Sequence, residues 1–368
     1  MISPGGVICA CAAVVAAVGG CTAGSSSSVT ATGKTLTIYA SAPPGAGGQD
    51  VLGGEQLALR QSATSVGGFT IKFAILRHAK TSDNARVAIE DKGAIAYLGE
   101  IAPGASEASL GITNAQDLLQ VTPTDTAVEE TQSTSAVAGS PSHYYEALKV
   151  YGRTFARVVP NSAHEARATV AEMQAQGVKS VYVADDGSDY GRAIAAAVRN
   201  DAAPAITIAS SPGSADGAFY GGSDPARASR LLAGNPTVKL FLPSALADAA
   251  GQLAGSGKVY VSTPGVLASE LSSAGRRFVS DFRAQYGRDP SWSAVFGYAA
   301  MSAVLDAIRK AGASANNRAT VVDDFFDTHT DSVLGTYKID GSGDTSFASF
   351  VFSRVKGGRL VPYKSAQG

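Results

Sequence analysis

The segment VYVADDGSDYGRAIA (residues 181–195) carries the pattern that decides the fold. It begins with a short, Val-rich apolar run, passes through a polar turn, and continues as a helical stretch that starts near Tyr190-Gly191. A run of this length and composition is typical of a buried strand. Similar runs of strand length recur at 36–40, 71–76, 94–99, 205–209, 238–243 and 258–262.

Helical patterns separate these runs. Ala166, Val170 and Met173 have the spacing that places apolar residues on one helix face, and stripes within 271–282 and 298–308 do the same. This alternation of strand and helix predicts a mainly parallel sheet with helices on both faces. Because 368 residues exceed what one doubly wound sheet holds, we expect an α/β protein with two Rossmann-like lobes.

The composition excludes several function classes. Lys and Arg number 30 against 31 Asp and Glu, a net charge of −1, which argues against binding nucleic acid or an anionic membrane through bulk charge. A hydrophobic fraction of 45% argues against global disorder. The cysteines are Cys9, Cys11 and Cys21, so the sequence beyond residue 21 contains no disulfide framework, thiol nucleophile or cysteine metal site.

The N-terminal residues have the pattern of a targeting segment. Residues 7–20 contain no charged side chain, and at about 1.5 Å per residue they are too few to span a bilayer as a helix. The following Cys21 completes a Val-Gly-Gly-Cys sequence that resembles the lipobox of bacterial lipoproteins. We therefore expect a signal peptide over 1–20, lipidation of Cys21 and a flexible tether over 21–34. The alternative is a buried N-terminal helix, and no Lys or Arg precedes the apolar run, as signal peptides usually have.

Motifs of enzymes and metal sites are incomplete. GQLAGSGKV (251–259) resembles a phosphate loop, but Val259 stands where Ser or Thr should hold Mg²⁺. DGSGDTSFASFV (340–351) begins like a calcium loop, yet Val351 occupies the position of the bidentate Glu, so a turn is expected. No second His or carboxylate lies at ligand spacing from any of the histidines, which are His78, His143, His164 and His329. The sequence predicts no enzyme, no cofactor and no metal site.

Six segments resemble one family in the same order. LLQVTPTDTAVEET (118–131) has the pattern of an "SPSxTxPxLT" loop, and residues 181–195 have the pattern "DxxxYGxGLA". The other matching segments are 94–106, 152–166, 291–312 and 332–362. Together they resemble the solute-binding lipoproteins of branched-chain amino-acid ABC importers.

The resemblance implies a fold and an organisation. Type I periplasmic binding proteins have two doubly wound lobes joined by a three-segment hinge. On this chain the resemblance implies that 35–158 with 266–344 form one lobe, and that 159–265 with 345–365 form the other. It implies crossovers near 158–160, 262–265 and 345–348.

The resemblance also implies a function. Such a protein captures a small polar solute, here an amino acid or a related amine or amide, and delivers it to an ABC permease with its ATPase. The expected protein is an extracytoplasmic monomer, anchored to the outer face of the membrane by lipid on Cys21. Two alternatives stay open: a ligand-sensing accessory lipoprotein of the same fold, and a secreted enzyme with a spatially assembled site.

The implied ligand contacts come from both lobes. Thr124 and Thr126 fall on positions that grip the amino-acid backbone, and Tyr190 falls on a ligand-contacting tyrosine. The alternatives are a helix cap for Thr126 and a core ring for Tyr190. If the resemblance holds, these three side chains converge on one gap between the lobes.

Several positions depart from the family pattern. Pro103 and Gly104 lie in a loop that usually carries Ser, Ser244 replaces an acidic residue, and Ser223 replaces a pocket tyrosine. Asp125 stands where a small apolar residue is usual. We hypothesise that Asp125 faces the cleft and supplies a negative partner for an amino group; the alternative is that it points outward and caps a helix.

Overall fold

Two parallel sheets organise the chain. The structure, a computed structural model, describes residue 1 and residues 29–42, 46–63, 65–148, 153–253, 258–327 and 329–368. The predicted signal peptide beyond Met1, the lipidation site Cys21 and the tether as far as residue 28 lie outside the described residues.

The first sheet defines lobe 1 and has the strand order β2-β3-β1-β4-β5-β6. Its strands are β1 (Thr35–Ser41), β2 (Ser65–Val66), β3 (Phe69–Leu76), β4 (Ala94–Leu98), β5 (Leu119–Thr122) and β6 (Phe155–Arg157). All neighbours pair in parallel except β2 with β3. Strand β4 is apolar and buried throughout, and β1 is buried at every residue except Thr35, as strands covered on both faces should be.

The second sheet defines lobe 2 and has the strand order β15-β14-β11-β10-β9-β7-β8. Its strands are β7 (Ser180–Asp185), β8 (Thr207–Ile208), β9 (Gly217–Gly221), β10 (Lys239–Leu242), β11 (Val259–Pro264), β14 (Ser349–Lys356) and β15 (Arg359–Gln367). The last two strands add an antiparallel edge next to β11. A separate hairpin pairs β12 (His329–Ser332) with β13 (Gly335–Lys338).

Helices cover both sheets. Their bounds are α1 (Ala46–Gln61), α2 (Thr81–Glu90), α3 (Leu110–Asn114), α4 (Ser162–Ala175), α5 (Asp189–Ala202), α6 (Pro225–Gly234), α7 (Ser273–Tyr286), α8 (Trp292–Ala311) and α9 (Arg318–Phe326). The core of lobe 1 includes residues of α1, α7, α8 and α9, whereas α4 and α5 pack in a core of lobe 2. In the part of the chain that the structure describes, no helix is both long and apolar enough to cross a membrane.

Two glycines allow α1 and α8 to approach closely. A Cβ on Gly54 would lie 2.0 Å from the Ala294 carbonyl oxygen, and one on Gly297 would lie 2.3 Å from the Val51 carbonyl oxygen. Any larger side chain at either position would therefore push the two helices apart. This contact joins the two ends of the lobe 1 sequence into one core.

The chain passes between the lobes three times. β6 leads into α4, β11 leads into α7, and the segment after β13 leads into β14. Residues 158–160 and 345–348 lie in the first and third passages, whereas residues 262–264 of the predicted second crossover belong to β11. The two-lobed, doubly wound architecture predicted from the sequence is confirmed.

The predicted tether is too long at its C-terminal end. Ala31 is buried in the lobe 1 core and its amide donates to the Asn316 carbonyl oxygen at 2.7 Å, while Thr30 forms a β-bridge with Asn317. The Arg318 amide donates to the Val29 carbonyl oxygen at 3.0 Å. Residues 29–31 are thus held by the segment before α9, because that segment offers backbone partners that the sequence does not reveal.

Candidate functional site

The two lobes meet where a 3₁₀ helix, Val128–Glu130, packs against α5. Val128 and Val137 of lobe 1 form a buried apolar cluster with Ala193 of lobe 2. At the edge of this contact the Tyr144 hydroxyl donates to Asp189 Oδ2 at 3.3 Å. The side chains on this surface therefore come from both lobes, as the resemblance implied.

Thr126 and Tyr190 come together at this surface. Both side chains are buried, and neither hydroxyl has a hydrogen-bond partner in the described protein. Burial raises the pKa of Tyr190 well above its ordinary value, Glu165 adds to the rise, and the neighbouring Thr126 hydroxyl opposes it. Two buried hydroxyls from opposite lobes thus lie close together at the lobe contact.

Local sequence explains the position of Tyr190. The Ser188 hydroxyl accepts from the Gly191 amide at 2.9 Å and begins α5 directly after β7. Tyr190 therefore lies in the first turn of the helix, at the carboxyl edge of the lobe 2 sheet, where ligands of such folds bind. A Cβ on Gly104 would lie 3.5 Å from the Tyr190 Cβ, so the lobe 1 loop at Gly104 reaches the same place.

Thr124 and Asp125 act inside lobe 1. The Thr124 hydroxyl donates to the Ile101 carbonyl oxygen at 2.7 Å. Asp125 is fully buried, and its carboxylate accepts four hydrogen bonds: from the Gly104 amide at 2.7 Å, the Ser106 amide at 2.9 Å, the Ser106 hydroxyl at 2.7 Å and the Ala127 amide at 3.1 Å. Neither expectation for Asp125 fits these contacts, because the carboxylate is neither exposed nor free for a ligand. It ties the loop after β4 to the loop after β5.

Ser244 donates hydrogen bonds to Glu165, a carboxylate that was not among the predicted ligand residues. The Ser244 amide donates to Glu165 Oε1 at 2.6 Å, and its hydroxyl donates to Glu165 Oε2 at 3.1 Å. The Ser262 hydroxyl donates to Glu165 Oε1 at 2.6 Å. Burial raises the pKa of Glu165 to about 7, against these hydrogen bonds. The acidic group missing at position 244 is therefore supplied by α4.

Ser223 and Pro103 are less engaged. Ser223 is exposed, and its amide donates to Asp186 Oδ2 at 3.1 Å, so it belongs to the turn after β9. Pro103 is half-buried beside Gly104. The structure brings Thr126, Tyr190 and Gly104 together and leaves Ser223 at the surface.

Two further carboxylates lie in the 3₁₀ helix. Glu129 and Glu130 are 1% and 0% exposed, and no oxygen of either carboxylate has a hydrogen-bond partner in the described residues. Burial raises the pKa of Glu129 to about 7, and the charge of Asp125 adds to the rise, whereas the Glu129 backbone amide and the charge of Arg157 oppose it. These residues lie at the lobe contact and were not among the predicted ligand residues.

A buried arginine links this region to the hinge. Arg157, at the end of β6, has its Nε 2.9 Å from Asp344 Oδ1 and its Nη2 3.5 Å from Glu130 Oε2. Its guanidinium also donates to the carbonyl oxygens of Asp125 at 3.0 Å and Ala127 at 2.8 Å. Asp344 belongs to the third crossover, in the predicted turn, so one cation holds the loop after β5 and the hinge together.

Comparisons with known proteins support this geometry. Residues 232–359 match the family model described as periplasmic binding protein. A leucine-binding protein LivK from Thermotoga maritima has a TM-score of 0.74 with 20% identity, covering 90% of this chain and 99% of that one. The substrate-binding protein LivJ of Streptococcus pneumoniae, in complex with isoleucine, has a TM-score of 0.73 with 16% identity, covering 91% and 100%. The chain has the type I periplasmic binding protein fold.

Other solved structures with this fold carry different ligands. A solute-binding protein from R. palustris in complex with benzoate has a TM-score of 0.70 with 18% identity, covering 90% of this chain and 96% of that one. A search of curated proteins with the sequence finds no match. The fold that the sequence resemblance implied is confirmed.

Metal ligation has no support in the described ranges of the chain. Within them no group of three or more His, Cys, Asp and Glu side chains is arranged to hold a metal ion. The carboxylates Glu129 and Glu165 lie in separate environments, one without partners and one with three hydrogen bonds.

A signal for Glu129 existed in the sequence: it lies four residues after Asp125 in the segment that resembles the ligand loop.

Proposed function

We propose that the chain is an extracytoplasmic solute-binding protein that holds a small polar solute between its lobes and delivers it to an ABC permease with its ATPase. The observation that carries this proposal is the pair of buried, unpartnered hydroxyls of Thr126 and Tyr190 at the lobe contact. Buried polar groups normally have a partner, and a ligand between the lobes would supply one. The lipid anchor at Cys21, the monomeric state and the residue boundaries of the lobes belong to the same proposal.

The mechanism follows from contacts drawn from two bodies. A solute that touches Thr126 on one lobe and Tyr190 on the other gains both contacts only when the lobes are together. Binding therefore shifts the population toward the closed arrangement. The three crossovers are short segments that can absorb the change in backbone angles while each lobe moves as a unit. A permease could then distinguish the loaded protein by its shape.

The ligands of the structural relatives support a small solute. The names of these relatives mention leucine, isoleucine and benzoate, all molecules of a few heavy atoms. Thr124 is engaged within lobe 1, and the family's acidic position is Ser244. A solute with the same contacts as leucine is therefore not expected, and an amine or amide fits the polar groups better.

A thermal-shift screen of the full chain tests this function. The panel contains amino acids, amides, polyamines and small carboxylates, because a solute that binds only the native state raises the melting temperature. Small-angle scattering of the chain with the best solute should then show a smaller radius of gyration than without it. A panel without any stabilising compound, or a bound solute that leaves the radius unchanged, would contradict the proposal.

A single hydroxyl can be tested against a matched control. Tyr190→Phe removes one oxygen at the lobe contact and should weaken binding of the best solute about tenfold, equivalent to about 1.4 kcal/mol. Tyr337→Phe removes an equally buried, unpartnered hydroxyl from the lobe 1 core and should leave binding unchanged. Equal affinities for the two variants would argue against Tyr190 as a contact.

A further inference from the structure

We propose that the solute is a small organic cation with N–H donors, such as an alkylamine or a guanidine, and that Glu129 binds its positive group at the lobe contact. This inference rests on the proposed function and specifies its substrate class. It moves the negative partner from Asp125, where the sequence suggested it, to a residue four positions further along the chain.

The Glu129 carboxylate is buried at the lobe contact. Glu129 is 1% exposed, and neither carboxylate oxygen has a hydrogen-bond partner in the described protein. Burying a carboxylate without a partner is expensive, and native proteins pair such groups or bind ions with them. By contrast, the buried carboxylates of Asp125 and Glu165 are satisfied by amides and hydroxyls of the chain itself. Glu129 therefore needs a hydrogen-bond donor or a cation, which a ligand could supply.

The charged side chains near Glu129 are mostly carboxylates in the described part of the chain. Asp125, Glu130 and Asp189 lie within electrostatic range of Glu129 or its neighbours, and the buried Arg157 opposes their effect. Arg157 already has Asp344 at 2.9 Å and two carbonyl oxygens as partners. Asp189 is paired with Arg192 on the exposed side of α5. Among the described residues, the charges around Glu129 are thus mainly negative, which attracts a cation and repels a carboxylate.

Two hydroxyl groups lie in the same region as the Glu129 carboxylate. The Thr126 and Tyr190 hydroxyls lack partners, and the pKa of Tyr190 is raised in part by the charge of Glu129, so these groups share one neighbourhood. A carboxylate and two hydroxyls can accept several N–H bonds from one ammonium or guanidinium group, and such charge-assisted bonds are the strong ones. The acceptors come from both lobes, so a cation would also hold the lobes together.

Matched probes differing in charge test the assignment on the full chain. The probes are putrescine, agmatine and L-arginine as cations, L-citrulline as the neutral counterpart of arginine, and benzoate as an anion. Calorimetric titration should give at least one cation an affinity at least tenfold higher than L-citrulline and benzoate. Glu129→Gln should weaken cation binding at least tenfold, Glu129→Asp should have an intermediate effect, and Glu107→Gln, on an exposed carboxylate of the same lobe, should have none.

The outcomes separate this inference from the function. If L-citrulline or benzoate binds and no cation binds more tightly, the cation assignment fails while a solute-binding protein remains. If cations bind equally well to Glu129→Gln and to the unchanged chain, with both proteins giving the same cooperative urea transition, Glu129 is not the anchor. Stabilisation by Ca²⁺ alone, or binding of none of the probes, would overturn the organic cation, while the wider thermal-shift panel decides on the solute-binding function.

Discussion

Asp125 and Glu129 lie four residues apart in one segment of lobe 1, and both carboxylates are buried. The Asp125 carboxylate accepts four hydrogen bonds from the loops around it, whereas the Glu129 carboxylate accepts none. The partners of Asp125 are all in lobe 1. Glu129 instead lies in the short helix that meets α5 of lobe 2.

This difference separates two duties within one loop. A carboxylate satisfied inside its own lobe contributes to stability whether the lobes are open or closed. A carboxylate buried at the lobe contact without a partner costs stability until a ligand arrives. In the loop after β5, Asp125 therefore fixes the backbone, whereas Glu129 remains available to the solute.

The largest effect is expected from Arg157→Met, which removes the guanidinium group that contacts both the loop after β5 and Asp344. The change leaves Asp344 and Glu130 buried without a positive partner, and the free energy of unfolding should fall by about 3–5 kcal/mol. Urea denaturation measures it. Arg153→Met, on an exposed arginine near the same hinge, should change the free energy by less than about 0.5 kcal/mol. A loss for Arg157→Met as small as that of the control would contradict the assigned network.

Asp125→Asn tests the rigid end of the loop. An amide has one acceptor oxygen where the carboxylate has two, so at least one of the Gly104 and Ser106 amides loses its partner. We expect a loss of about 3 kcal/mol in the free energy of unfolding, measured by urea denaturation. Ser106→Ala shares the same contact, so the two changes should be non-additive in a double-mutant cycle. If Asp125→Asn weakened solute binding without lowering stability, Asp125 would be a ligand residue after all.

Much of the fold could be predicted from the sequence because buried parallel strands have a strong signal. The apolar runs at 36–40, 71–76 and 180–185 are strands with nearly the predicted bounds. The run 205–209 is reduced to β8, a two-residue edge strand whose Ile208 is exposed, since pairing on one side only leaves its ends free. The number of lobes followed from chain length.

The candidate site was only partly predictable. Thr126 and Tyr190 came from the resemblance, and the structure places them together. The direction of the Asp125 side chain could not be predicted, because a loop has no periodicity from which to infer which way a side chain points. The contact between Glu165 and Ser244 joins residues 79 positions apart, and a single sequence contains no signal for that pairing. Glu129 is distinguished by the absence of partners, which only coordinates reveal.

Glu129→Gln should have the opposite sign to Asp125→Asn. The pKa of Glu129 is raised from 4.5 to about 7 in the folded protein, so the native state binds more protons than the unfolded state between these values. Stability contributed by this group is therefore lost as pH rises through that window. Removing the charge should raise the free energy of unfolding by about 2 kcal/mol at pH 8 and by little at pH 4.5. Urea denaturation of the solute-free chain at both pH values measures the difference.

A destabilising Glu129→Gln at pH 8 would mean that the carboxylate has a partner in the protein. In that case the contrast with Asp125 would disappear, and Glu129 would not need a cationic solute as its partner. Glu107→Gln provides the control, because an exposed carboxylate should change stability by less than about 0.5 kcal/mol at either pH.

Ser244→Ala extends the comparison to lobe 2 with the smallest effect. Glu165, like Asp125, is a buried carboxylate satisfied by its own lobe, and the Ser244 hydroxyl is one of its donors at 3.1 Å. Losing that donor should raise the pKa of Glu165 above its present value of about 7, and cost about 1 kcal/mol of unfolding free energy at pH 8, where the carboxylate is charged. At pH 4.5 the loss should be smaller, because the protonated group needs the donor less. A loss independent of pH would show that Ser244 acts by packing, and a loss of solute affinity without loss of stability would return it to the ligand contacts suggested by the sequence.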